Sequence, residues 1–201
     1  KGLEETHYVI TLDSDTSLNV GTARELVGAM LHPLNRPVVD PKRRVVIRGY
    51  GLLQPRVGVE LNAANKSQFS RIFAGQGGVD PYGGACSDVY HDLFDRGSYT
   101  GKGIFDVEAF AQCLDGRFPE NRVLSHDLLE GAYLHAGLLG DVELTDGYPY
   151  KVTSYFSRLH RWVRGDWQLL PWLGRFVRNE RGERVPNPIT AMDKWKIFDN
   201  L

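Results

Sequence analysis

Two carboxylates one residue apart, Asp13 and Asp15, follow a short apolar run from Tyr8 to Leu12. Side chains so spaced after a strand can both reach one divalent cation. Mg²⁺ or Mn²⁺ takes such hard oxygen ligands and leaves positions for water and substrate phosphates. Ligands of open α/β sheets bind beyond the carboxyl ends of the strands, where this pair stands. By itself the pair also fits a turn or a helix cap. An EF-hand loop is excluded, because its sixth and twelfth positions would be Leu18 and Arg24 instead of Gly and Glu. A haloacid-dehalogenase-type phosphatase fits more closely, with Asp13 as nucleophile and Asp15 as general acid. That chemistry needs a distant lysine, for which Lys102 or Lys151 is available, and a second acidic pair that the sequence does not offer.

Two further groups could do chemistry. Ser125-His-Asp-Leu-Leu-Glu-Gly131 places Asp127 in the first turn of a helix and Glu130 one turn later. Acids there offset the helix dipole, or one serves as a general base toward an acceptor hydroxyl. From Arg158 to Gln168, three arginines and His160 crowd around Trp162 and Trp167. Arginine forks suit diphosphate oxygens, and tryptophan offers a flat face to a sugar ring. The plainer reading makes the tryptophans core residues and the arginines a solvated face.

The elements that must position these residues follow from periodicity and punctuation. Tyr8–Leu12 reads as an inner strand of a parallel sheet. A helix is expected from Val20 to Leu31, capped by Asn19 and stopped by Pro33. Strands are expected at 45–47 and 52–59, with Pro55 pointing to an edge or a bulge. Helices are expected at 65–74, 107–114, 126–136, 153–173 and 189–201, a loop at 75–84, and strands entering Asp106 and at 138–144. Ser98 to Asp106 reads as a tight turn feeding its strand, and 179–188 as a polar turn. Strands alternating with helices indicate an α/β fold.

The chain has 201 residues, room for one domain with a full core, and a formal net charge of −1, which implies no general attraction to nucleic acid. No apolar run approaches the roughly 20 residues that cross a bilayer. Cys86 and Cys113 are too few for a disulfide framework and read as small core residues. A strand starts almost at once after Lys1, so the chain is expected to be a piece of a longer protein.

The three groups occur in the chain order of processive, inverting GT-A glycosyltransferases such as cellulose, chitin and hyaluronan synthases. The sequence resembles more closely the glycosyltransferase domain of the cyclic β-1,2-glucan synthases. The matching phrases are Ile10–Thr16, His32–Pro37, Gly49–Arg56, Thr100–Asp106, Leu124–Gly131, His160–Gln168 and Lys194–Leu201, which span essentially the whole chain. The resemblance implies a GT-A-like, Rossmann-like, mostly parallel sheet flanked by helices. It implies that residues 1–178 belong to the catalytic core, with 179–201 a linker and an amphipathic helix. Ala191, Trp195, Phe198 and Leu201 form an apolar stripe with Lys194 and Lys196 beside it, which suits either a membrane interface or packing on the domain's own core. The resemblance implies a UDP-glucose donor, a β-1,2-glucan acceptor and a divalent cation, Mg²⁺ or Mn²⁺. Asp13 and Asp15 would hold the metal and donor diphosphate, with Arg161 and Arg164 on the diphosphate. Asp127 would be the base, and Trp162, His126 and Lys102 would meet the acceptor. Strands binding uracil and ribose would precede Lys1, so the segment alone is expected to bind donor poorly. The parent would sit on the cytoplasmic face of a bacterial inner membrane, anchored by other segments, and carry a phosphorylase-like domain. Two departures stand out: His126 where the wider superfamily has Glu, and Arg158 where it has Gln. A non-catalytic carbohydrate-binding module is the remaining alternative.

Overall fold

The computed structural model describes residues 5–75 and 88–201. In chain order the elements are β1 (Tyr8–Thr11), β2 (Thr16–Ser17), α1 (Thr22–Leu31), β3 (Val38–Asp40), β4 (Val45–Arg48), β5 (Leu52–Val59), α2 (Leu61–Ala64), α3 (Gln68–Phe73) and α4 (Val89–Phe94). They continue with β6 (Gly103–Asp106), α5 (Val107–Leu114), α6 (Asp127–Leu134), β7 (Ala136–Asp146), α7 (Val152–Trp167), a 3₁₀ turn (Leu170–Leu173), β8 (Phe176–Arg178), β9 (Arg184–Pro186) and α8 (Ala191–Asp199). The fold is α/β: a central sheet in the order β1-β6-β5-β7-β2, with helices on both faces. β1, β5 and β7 run one way, and β6 and β2 run against them. β1 is not an inner parallel strand. Among the described residues it pairs only with β6, antiparallel, at the end of the sheet.

Apolar alternation sends side chains of β5, β6 and β7 to two cores. Leu26 and Met30 of α1 pack with Leu53, Ile104 and Val142 on one face. Leu52 and Ala136 join Cys113 of α5 and Leu129, Tyr133 and Leu134 of α6 on the other, with Trp172 of the 3₁₀ turn. Burying such side chains is worth about 1.5–3 kcal/mol each, which makes the sheet ends a firm base for a site. Pro55 sits at a bulge inside β5: the register against β7 jumps between Pro55 and Arg56. A proline cannot donate to the ladder, so the partner strand gains its irregularity there.

Several expected boundaries move. Asn19 does not cap α1, whose N-cap is Gly21; its amide donates to the Glu143 carbonyl oxygen instead. The expected 65–74 helix is the shorter α3, which starts at Gln68 behind a Ser67 capping box, and α2 before it was not expected. α6 ends at His135, which takes the left-handed conformation at φ 55°, and its strand begins at once at Ala136. α7 stops at Trp167, and the 179–188 turn is the β8–β9 hairpin. Cys113 is fully buried, and Cys86 and nearly all of the 75–84 loop lie outside the described residues.

Candidate active site

The carboxyl end of the sheet gathers the acids. After β1 the chain turns tightly, the Thr16 amide donating to the Asp13 carbonyl oxygen at 3.1 Å, and β2 pairs with the end of β7 so that Thr16 faces Asp146. The Gly147 amide donates to the Asp15 carbonyl oxygen at 2.9 Å. Both ends of the Asp13–Asp15 turn are therefore fixed by backbone bonds. The Thr16 hydroxyl donates to Asp146 Oδ1 at 2.6 Å. Between the two acids lies Lys102, whose ammonium is 3.2 Å from Asp13 Oδ2 and 3.0 Å from Asp146 Oδ2 and is almost sealed from solvent. Burial pulls the pKa of Lys102 down, but Asp146 and Asp13 more than offset it, so the group lies above its ordinary value and stays charged.

Lys102 sits in a loop held from several sides. Buried Gln54 of β5 accepts from the Thr100 amide at 3.0 Å, and the Tyr99 hydroxyl lies 2.8 Å from the Thr11 hydroxyl at the end of β1. The glycines on either side are dictated by space. Gly101 has φ +88°, and a side chain there would press on the Asp127 carboxylate; one at Gly103 would overlap the Leu53 carbonyl oxygen.

Helix α7 lies along the opposite side of the cleft. Arg158 Nη1 reaches Asp15 Oδ2 at 3.3 Å, and its guanidinium stands 5.3 Å from the Trp162 ring centroid. Gly165 is the close-approach point, where an added Cβ would lie 3.3 Å from Ser125 Cβ. This brings α7 against the start of α6.

At that start, the Ser125 hydroxyl donates to Asp127 Oδ2 at 3.1 Å. Burial raises the pKa of Asp127 and the Asp13 charge adds to it, outweighing the Ser125 bond and Lys102. Glu130, one turn on, is pushed up to about 7, first by burial and then by Asp127. Glu130 is thus the group of the two that changes charge near neutrality.

The result is one cleft of about 1630 Å³. Asp13, Asp15, Lys102, His126, Asp127, Arg161, Trp162 and Arg164 all line it. No protein-family model matches the chain. Over 199 residues it is 47% identical to cyclic beta-(1,2)-glucan synthase NdvB of Rhizobium meliloti (strain 1021), a match covering 98% of this chain and 7% of that protein. The chain is similar to one small region of a glucan synthase.

Placement differs in detail from the sequence reading. Trp162 borders the cleft, but Trp167 does not line it, and at 53% exposed it is not core either. His126 stacks on Phe118 with centroids 5.2 Å apart, so its ring is partly engaged by protein. Lys102 is a buried bridge between acids. Sequence reasoning missed Asp146, which meets Lys102 only through the fold, and Gln54 and Tyr99, which hold the Lys102 loop through Thr100 and Thr11; it quoted Ser125 without its bond to Asp127. The one signal for Asp146 was its position closing an apolar strand, as Asp13 closes another.

The carboxylates of Asp13 and Asp15 are 49% and 40% exposed, open to a cation from the cleft. Among the described residues no group of three or more His, Cys, Asp or Glu could hold a metal ion. Two hard oxygen donors fit a Mg²⁺ or Mn²⁺ whose other positions are filled by water and phosphate. No helix among the described residues is long and apolar enough to cross a membrane.

Proposed function

We propose that the chain is the metal-and-acceptor part of an inverting glycosyltransferase that moves glucose from UDP-glucose onto a growing β-1,2-glucan. The observation that carries this reading is that Asp13, Asp15, Asp127 and Trp162 line one cleft. The 47% identity to a region of a cyclic β-(1,2)-glucan synthase supports glucose and the linkage. A GT-A-like arrangement is the form of the α/β fold this implies, with residues 1–178 as catalytic core and α8 as part of a following linker. The longer parent would lie on the cytoplasmic face of a bacterial inner membrane, held by other segments, beside a phosphorylase-like domain.

In this reading Asp13 and Asp15 hold Mg²⁺ or Mn²⁺ together with the donor diphosphate. The bound cation supplies neutralising charge for the departing UDP. Arg161 and Arg164, exposed on α7 and aligned one turn apart, add donors toward the same phosphates. Trp162 stacks under the acceptor sugar, and Lys102 and His126 form the wall beyond it. Asp127 takes the proton of an acceptor 2-hydroxyl while that oxygen bonds to the anomeric carbon and the electron pair of the breaking bond leaves with UDP. A single displacement turns an α-linked donor into a β-linkage. Burial suits Asp127 to this work, since a carboxylate of raised pKa is a stronger base.

A phosphatase shares the Asp13–Lys102 contact. It gives no role to Asp127, Glu130 and Trp162 in the same cleft, and its other candidate, Lys151, does not line it. The deciding experiment measures glucan synthesis and phosphate-ester hydrolysis side by side with the parent enzyme and its Asp127→Asn variant. Loss of glucan synthesis with UDP binding retained is expected. Undiminished synthesis would remove Asp127 from the base role, and ester hydrolysis without glucan synthesis would favour the phosphatase.

A further inference from the structure

At the end of the sheet the carboxylates of Asp13, Asp15 and Asp146 each stand beside a cation. Lys102 bridges Asp13 and Asp146, and Arg158 holds Asp15. We propose that Lys102 and Arg158 are resident counterions that keep free divalent cation off Asp13 and Asp15, so that metal enters the cleft only together with a diphosphate. The inference rests on the reading of Asp13 and Asp15 as the metal and diphosphate pair, and adds an order of binding to it.

The two counterions differ in how freely they can leave. Lys102 is nearly sealed, and Asp146, its second partner, is itself anchored by the Thr16 hydroxyl. Its loop is tied to β5 through Gln54 and to β1 through Tyr99. The ammonium cannot swing to water without abandoning both carboxylates. A dication on Asp13 therefore arrives within about 5 Å of a fixed positive charge, a repulsion that weakens binding roughly tenfold even when screened as in water. Arg158 sits on the outer helix α7, stacked near Trp162, and can exchange Asp15 for a phosphate without disturbing the core. A diphosphate brings the missing negative charge. With it bound, the metal, Lys102 and Arg158 all have anionic partners. Arg158 thus supplies the second counterion.

The test is Mn²⁺ binding to the parent enzyme, read from the free Mn²⁺ signal by electron paramagnetic resonance, with and without saturating UDP. Wild type should bind Mn²⁺ weakly alone and at least tenfold more tightly with UDP. Lys102→Met should tighten Mn²⁺ binding without UDP about tenfold, and the gain from UDP should shrink in step. Arg158→Gln should move the same way by a smaller factor, whereas Lys102→Arg, which keeps the charge, should match wild type. Lys102→Met binding Mn²⁺ no better than wild type would overturn the proposal. If thermal melting shows that Lys102→Met does not fold, Arg158→Gln decides, and an unchanged Mn²⁺ affinity in that variant overturns it. Failure of wild type to bind Mn²⁺ even with UDP would reject the underlying metal-diphosphate reading, whichever residue stands at 102.

Discussion

The cleft holds two pairs of acids that differ in environment more than in chemistry. Asp13 and Asp15 each have a cationic partner and are exposed by nearly half. Asp127 and Glu130 have no ion-pair partner among the described residues, are mostly buried, and have raised pKa values. Identical functional groups are thereby divided between two tasks. The paired, open carboxylates are suited to holding cations, while the unpaired, buried ones are suited to taking and giving protons. Asp127 also feels Asp13 directly, so the two pairs are electrically linked across the cleft.

The sharpest way to break this division is Asp127→Asn in the parent enzyme, which should lower glucan synthesis by roughly 10²–10⁴-fold with UDP binding unchanged, as measured by turnover and by titration calorimetry. Next is Asp13→Asn, which should leave the proton-transfer pair in place and remove metal-dependent UDP binding. A loss of roughly a hundredfold is expected, since metal stabilisation is worth several kcal/mol. If Asp13→Asn bound Mn²⁺ and UDP normally, the paired acids would not be the cation site.

Glu130→Gln tests the buried pair through stability. The folded-state pKa of Glu130, about 7, lies above its ordinary 4.5. Between those values the folded protein binds more protons than the unfolded chain, so stability falls as pH rises from about 4.5 through 7. The loss is up to about 3 kcal/mol for such a shift. The Gln variant should flatten this slope and be the more stable form at pH 8 in denaturant titrations. A slope equal to wild type would show that Glu130 ionises normally. The smallest effect is expected for Ser125→Ala. The Ser125 bond lowers the Asp127 pKa, so its loss should move the acidic limb of the pH–rate profile upward. A downward move would contradict the assigned hydrogen bond.

Local chemistry left plain marks in the sequence. β5 and α5 keep their expected bounds, 52–59 and 107–114, β5 as a strand buried along its first half and α5 by burying Ala109, Cys113 and Leu114. The Asp13–Asp15 turn, the α6 start and the Arg158–Trp162 helix were all legible as groups of chemically able residues. Where periodicity was weak or the turn chemistry ambiguous, boundaries shifted, as at Ser67, whose capping box starts α3 at Gln68 instead of at 65.

What the sequence determined by itself was therefore the inventory: the α/β alternation and the residues able to bind a cation, take a proton or stack on a sugar. Only the tertiary structure decided which of them meet. Asp13 and Asp146 are brought to one ammonium by the pairing of β2 with β7, a contact between residues far apart in the chain, and local periodicity carries no information about such pairing. The same holds for protonation. Nothing in the sequence marks Glu130 as the carboxyl pushed up to about 7, because the burial that does so exists only once the chain has folded.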